Sequence, residues 1–110
     1  MRLPDQHKST ISDVKVKGYL LSNSHPYGRH KAAFFNSFGF EAERWELMAY
    51  ALREHAKQNE LAGVEENEFG KRYIVEGPLV SPDGRAPIVR VVWFVEKGDD
   101  CPRLVTVYPL

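Results

Sequence analysis

A single cysteine, Cys101, excludes an internal disulfide, and lone thiols are ordinary in reducing compartments. Its neighbours Asp99, Asp100 and Pro102 place it in an acidic turn, where a thiol pKa rises and a nucleophilic role is disfavoured. No apolar run approaches the roughly 20 residues that span a bilayer, and the N-terminus has no signal-peptide core. The expected setting is cytoplasmic, with no membrane contact. Charge of one sign is also missing: 15 Lys and Arg stand against 15 Asp and Glu, so no global field draws the molecule onto nucleic acid. Paired metal ligands and glycine-rich phosphate loops are absent as patterns. The four histidines are scattered, and no HExxH or Walker signature occurs. Neither a metal nor a cofactor is expected.

The charge that is present is unevenly divided. Residues 1–40 carry six Lys and Arg against two Asp, whereas residues 41–68 carry eight Glu against Arg44, Arg53 and Lys57. This predicts a basic end and an acidic helix.

Residues 1–12 are polar, contain Pro4 and show no periodicity, which predicts a flexible arm ahead of one globular domain over 13–110. The stretch VKVKGYLL suits either a short strand or a helical turn. Lys31, Phe34, Phe35 and Phe38 follow helical spacing, with Gly39 as a C-terminal stop. From about Ala42 to Leu61, the stripe Trp45, Met48, Ala49, Leu52 and Ala56 marks the strongest helix, and His30 and His55 are expected on solvated helix faces. After residue 68 the period becomes two, with SPDGR and GDDCP as turns. The fold class is therefore α+β, with two helices packed on one face of an antiparallel, three- to four-stranded meander sheet.

Turns centred near residues 82–83 and 99–100 give rungs Arg72/Trp93/Thr106 and Ile74/Val91/Tyr108 on a free face. Tyr73, Val75, Val92, Phe94, Val105 and Val107 then lie under the helices. Arg90 interrupts an apolar strand and is expected to pair with Glu76. Arg85 is either a hairpin-tip phosphate contact or an exposed arginine.

The segment HPYGRHK begins a helix with Arg29, His30 and Lys31, although cations at a helix N-terminus are disfavoured by a few tenths of a kcal/mol to about 1 each. A phosphate received there would account for them, with Arg29 as a planar donor and His25 and Lys31 nearby. The alternative is that the cations are solvated and His25 caps the turn. Tyr, Trp and Arg on the free sheet face are groups on which unpaired bases stack. Metal-independent RNA cleavage follows as a hypothesis. His25 acts as base or acid, Tyr108 or His30 is its partner, and Arg29, Lys31 and Arg72 stabilise charge.

The runs YLLSNSHPYGRHKAAFFNSFGF, GKRYIVEGPLVSPDGR, VRVVWFV and PRLVTVYP resemble a family of small bacterial domains of unknown function carrying an HPxGRxKAxFF core. Related-looking domains occur at the C-termini of bacterial toxins and in two-gene cassettes, and are grouped with the barnase, EndoU, colicin and RelE ribonuclease fold. The resemblance implies an RNase toxin of a toxin–antitoxin or polymorphic toxin system, restrained by an antitoxin protein. It marks His25, Gly28, Arg29, Lys31, Thr106 and Tyr108 as motif positions. RelE-like catalytic groups, basic residues and a C-terminal tyrosine, match Arg29, Lys31, Arg72, Arg85 and Tyr108. Such toxins are basic, whereas the helix from Ala42 is read here as acidic. Two alternatives follow: an antitoxin or immunity-type interaction protein using that acidic helix, and a phosphate- or nucleic-acid-binding module without chemistry.

Overall fold

A computed structural model describes residues 1–22, 24 and 29–110. Helix α1 (Asp13–Lys15) runs on into a π-helical turn, Val16–Leu20, closed by Leu21 N–H donating to Val16 O at 2.8 Å. Of the two forms open to VKVKGYLL, the helical one forms, and it buries Val16, Leu20 and Leu21. Helix α2 (Arg29–Asn36) buries Ala32 and Phe35, and Gly39 turns the chain at φ 98°, a conformation that costs glycine little. Helix α3 (Trp45–Gln58) buries the expected stripe of Met48, Ala49, Leu52 and Ala56. Four strands follow, β1 (Leu61–Asn67), β2 (Gly70–Pro78), β3 (Ile88–Glu96) and β4 (Arg103–Pro109). They form an antiparallel meander in the order β1-β2-β3-β4. The fold is α+β, as the change of period implies.

The core joins Phe35, Phe40, Met48 and Leu52 to Val75, Val91, Trp93, Leu104 and Val107. Each such side chain stabilises the fold by roughly 1.5–3 kcal/mol of burial. Several expectations need correction. Helix α3, expected to reach about Leu61, stops at Gln58, and residues 61–67 form an edge strand whose exposed glutamates hide its alternation. That boundary also redistributes the acid: α3 holds Glu46 and Glu54 against Arg53 and Lys57, while Glu65 and Glu66 belong to β1. The acidic stretch is thus not one helix face.

Residues 1–12 are packed. Leu3 and Ile11 are buried, and Thr10 lies parallel to the start of β4, donating to Pro102 O at 2.8 Å and accepting from Leu104 N–H at 3.0 Å. Two buried apolar residues and a strand-like pairing fix this segment despite its polar composition.

The sheet register differs by one residue at β3. The pairs Tyr73↔Trp93, Val75↔Val91 and Val91↔Val107 share the core side, leaving Arg72, Ile74, Val92, Phe94, Thr106 and Tyr108 on the other. Strand β2 and the end of β4 have the expected phase; β3 is shifted, and Val105, expected under the helices, yields its core position to Leu104. The middle of β3 is apolar without interruption because Val92 is as fully buried as Val91 and Trp93, so alternation carries no phase there. Glu76 and Arg90 are direct cross-strand partners, with Nε to Oε2 at 2.5 Å, as expected for an arginine in an apolar strand. Between β3 and β4 a bulge places Val92 opposite Thr106 but Trp93 opposite Leu104, so Val105 is the extra residue.

His55 is buried in α3, not solvated. Its Nε2 lies 3.1 Å from Gly77 O, which can only accept, so Nε2 carries the proton and Nδ1 is left without a partner. Burial holds its pKa below the ordinary 6.5, against the opposing pull of the Gly77 and Val89 carbonyls. As pH falls below that ordinary value, the unfolded chain binds a proton that the folded chain refuses. Stability therefore declines on the acid side, by up to about 1.4 kcal/mol per pH unit until the folded imidazole itself titrates. Urea unfolding at pH 7 and pH 5.5 should show a smaller acid loss for His55→Gln than for the wild type. Equal losses would place the imidazole in water.

Candidate functional site

Helix α2 and strand β4 bring together residues 75 positions apart. Ala32 and Phe35 fasten α2 to the core, which carries the adjacent Lys31 to the outer edge of β4. The Val105 bulge keeps Leu104 and Val107 in the core while Thr106 and Tyr108 share the opposite face. Lys31 Nζ donates to Thr106 Oγ1 at 2.7 Å and stands 4.1 Å from the Tyr108 ring centroid and 5.3 Å from that of Tyr19. Lys15 stands over the same Tyr19 ring at 5.5 Å. The rings hold the cations through their negative faces, and Thr106 is 8% exposed, so water competes weakly for the hydroxyl.

Burial lowers the Lys31 pKa. The Tyr108 hydroxyl opposes that shift and the like charge of Lys15 adds to it. Among the described residues, no carboxylate is ion-paired with Lys31 or Lys15. An ammonium has three N–H donors, and Thr106 engages one of Lys31's, leaving capacity for an oxyanion. A part-buried cation held by a hydroxyl and two rings can stabilise a developing negative charge.

Arg29 and His30 are exposed on the first turn of the same helix. His25 and Gly28 lie outside the described residues. The remaining phosphate- and base-contact candidates are placed elsewhere. Arg72 pairs with Glu65 on β1 at 2.5 Å, directly across the strands. Arg85 is held by Asp83 at 2.6 Å, donates to Ser37 O at 2.7 Å and stacks on Phe38 at 4.3 Å, pinning the 81–85 turn to the end of α2. Trp93 is fully buried by the shift in β3, which removes it as a stacking platform. Tyr19 and Lys15 are additions to the expected set. Their signal is an i, i+4 cation–aromatic pair, visible only once VKVKGYLL is taken as helical.

Asp99, Asp100 and Cys101 bring three possible metal-ligand atoms within 4.8 Å of one another in the turn before β4. Asp100 is engaged by Lys8, and burial together with the Asp100 carboxylate raises the Cys101 thiol pKa, so the thiol is protonated at neutral pH as its acidic neighbours imply. Among the described residues, no helix is long and apolar enough to cross a membrane.

No curated protein matches the chain. Among solved structures it is similar to a chain of the "Contact-dependent growth inhibition toxin - immunity protein complex from Klebsiella pneumoniae 342". The TM-score is 0.66 at 19% identity, covering 91% of this chain and 98% of that one. The superposition shows a shared fold, and at this identity the fold alone. Residues 2–110 match the family described as "Domain of unknown function (DUF6883)", and the chain belongs to that family.

Proposed function

We propose that the chain is the ribonuclease component of a bacterial toxin system and cleaves RNA by metal-independent transesterification at the Lys31 site. The observation that carries this reading is the convergence of Thr106 and Tyr108 on the part-buried ammonium of Lys31. A shared fold with a chain from a toxin–immunity complex supports the setting. In the reaction, the ribose 2′-oxygen forms a bond to the adjacent phosphorus while the bond from phosphorus to the 5′-oxygen breaks. A base removes the 2′-hydroxyl proton and an acid delivers one to the departing 5′-oxygen. The products are a 2′,3′-cyclic phosphate and a 5′-hydroxyl. Lys31 stabilises the charged phosphorane, Thr106 and Tyr108 hold Lys31 in place, and Arg29, exposed on the first turn of the same helix, supplies a further phosphate donor. His25 and Tyr108 are the proton carriers, with His30 as the alternative partner. RNA is the substrate, the cytoplasm is the site of action, and an antitoxin or immunity protein is the restraining partner.

The immunity-type reading has its own support in the exposed Glu66 and Glu68 at the end of the edge strand β1, which suit a basic partner. Induced expression in a bacterial host separates the two. The ribonuclease reading expects growth arrest with RNA fragments ending in 2′,3′-cyclic phosphate, both lost in an Arg29→Ala, Lys31→Ala variant that remains folded. Normal growth and intact RNA at high expression of the wild type would favour the binding protein.

A further inference from the structure

Lys31 is not the end of the basic surface. Beside β4 lies a cleft of about 400 Å³ lined by Thr10, Ser12, Lys15 and Arg103 among others, with Leu104 and Val105 at its wall. Its two cations come from different parts of the chain, and the Thr10 pairing with β4 sets them against each other. The hydroxyls of Thr10 and Ser12 supply neutral donors between them. Lys15 links this cleft to the first site, because the Tyr19 ring lies under both Lys15 and Lys31.

The charge inventory around the cleft favours an anion. Lys15 has no ion-pair partner among the described residues, and Arg103 has one, Glu96, at 2.9 Å. That pair is more than half exposed on both sides, so it contributes about 0–1 kcal/mol and yields readily to a phosphate. Asp13, the acid nearest in sequence to Lys15, accepts from the Val14 N–H. Elsewhere the arginines Arg72, Arg85 and Arg90 are each held by a carboxylate, so the combination of unpaired lysine, loosely paired arginine and hydroxyls in one concavity distinguishes this face. The Phe94 ring, 5.5 Å from the Arg103 guanidinium, gives the far end an aromatic surface as well.

We infer that this cleft is a second backbone-phosphate subsite for single-stranded RNA, continuous with the Lys31 site through Tyr19, in which Lys15 and Arg103 bind phosphates flanking the cleaved linkage. The inference rests on the ribonuclease reading and adds the path of the substrate: the strand runs along the outer edge of β4. Binding there carries little sequence information, because phosphates position and bases specify.

The test uses the full-length protein and a fluorescein-labelled 2′-O-methyl RNA pentamer, which cannot be cleaved because its 2′-oxygens are blocked. Affinity is followed by anisotropy against KCl, and cleavage is followed separately on the unmodified pentamer. Lys15→Gln, Arg103→Gln should weaken pentamer binding about tenfold at low salt and reduce the slope of log K against log salt by about 1.4, or ~0.7 for each lost phosphate contact. The charge-preserving Lys15→Arg, Arg103→Lys variant should keep the wild-type slope, and Lys71→Gln should match the wild type throughout. An unchanged slope in the Gln variant, with the wild type still cleaving, overturns the subsite and leaves the ribonuclease reading standing. Loss of slope in the charge-preserving variant as well would make the effect structural and also overturn it. A wild type that neither binds nor cleaves removes both.

Discussion

Lys31→Met lowers RNA cleavage by about 100- to 1,000-fold, the usual consequence of removing one preorganised donor from a charged transition state. The same substitution leaves the melting temperature unchanged or raises it, since an ammonium whose pKa is lowered by burial is held at a cost that methionine does not carry. This opposition of activity and stability distinguishes a working lysine from a structural one. The pH profile adds a second criterion. If the cation is required, turnover falls as pH rises through the Lys31 pKa, which lies below that of an ordinary lysine. Lys31→Arg keeps its charge throughout, so its alkaline limb disappears even where its rate is reduced. A Lys31→Met protein that cleaves at the wild-type rate would transfer the chemistry away from the α2–β4 junction altogether.

Trp93→Ala destabilises the protein by about 3–5 kcal/mol, a large share of the roughly 5–15 kcal/mol that holds a domain of this kind together. The indole is fully buried, and its Nε1 has no hydrogen-bond partner among the described residues. Trp93→Phe therefore loses packing volume but also relieves an unsatisfied donor worth about 1–3 kcal/mol, and should cost far less than alanine. Urea denaturation of the three proteins measures both differences. A change below about 1 kcal/mol for Trp93→Ala would return the ring to the outer face of the sheet, where substitutions are mild, and with it the phase of β3.

That phase marks the boundary of what could be read without coordinates. Helical spacing in Phe34 and Phe35 and in Met48, Leu52 and Ala56 reflects one-sided burial, and both helices form at the indicated places but stop short, at Asn36 and Gln58. Strands β2 and β4 alternate because one face of each carries polar groups. Strand β3 is covered on both sides at its centre, so VVWFV has no polar residue to set its register. The information was nevertheless present in Arg90: its pairing with Glu76 is compatible only with the observed register, not with the rungs drawn from turn positions. The β1 strand was illegible for the opposite reason, since an exposed edge rich in glutamate has little hydrophobic pattern to show. At the site, Lys31 was marked by its unfavourable place on a helix start, and Thr106 and Tyr108 by the alternation of β4 and by family resemblance. Their meeting depends on tertiary packing and on a bulge, neither of which leaves a periodic trace. Trp93, Arg72 and Arg85 have the chemistry of a nucleic-acid surface, yet their neighbours Glu65 and Asp83 and the phase of β3 commit them to structure.

Val105 gives β4 a property that an uninterrupted strand would not have. With one residue more than its partner requires, the strand keeps Leu104 and Val107, three apart, on the same side, and Thr106 and Tyr108 on the other. Strict alternation from Leu104 would send Thr106 inward and Val107 out. The bulge is thus a phase shifter between two halves of one strand, the first answering to the sheet and the second to α2. Deleting Val105 would make Leu104 and Thr106 consecutive opposite Trp93 and Val92 and leave both faces as they are, whereas one residue inserted between Thr106 and Tyr108 would exchange core for chemistry beyond it, so the spacing after the bulge is constrained more tightly than the presence of Val105 itself.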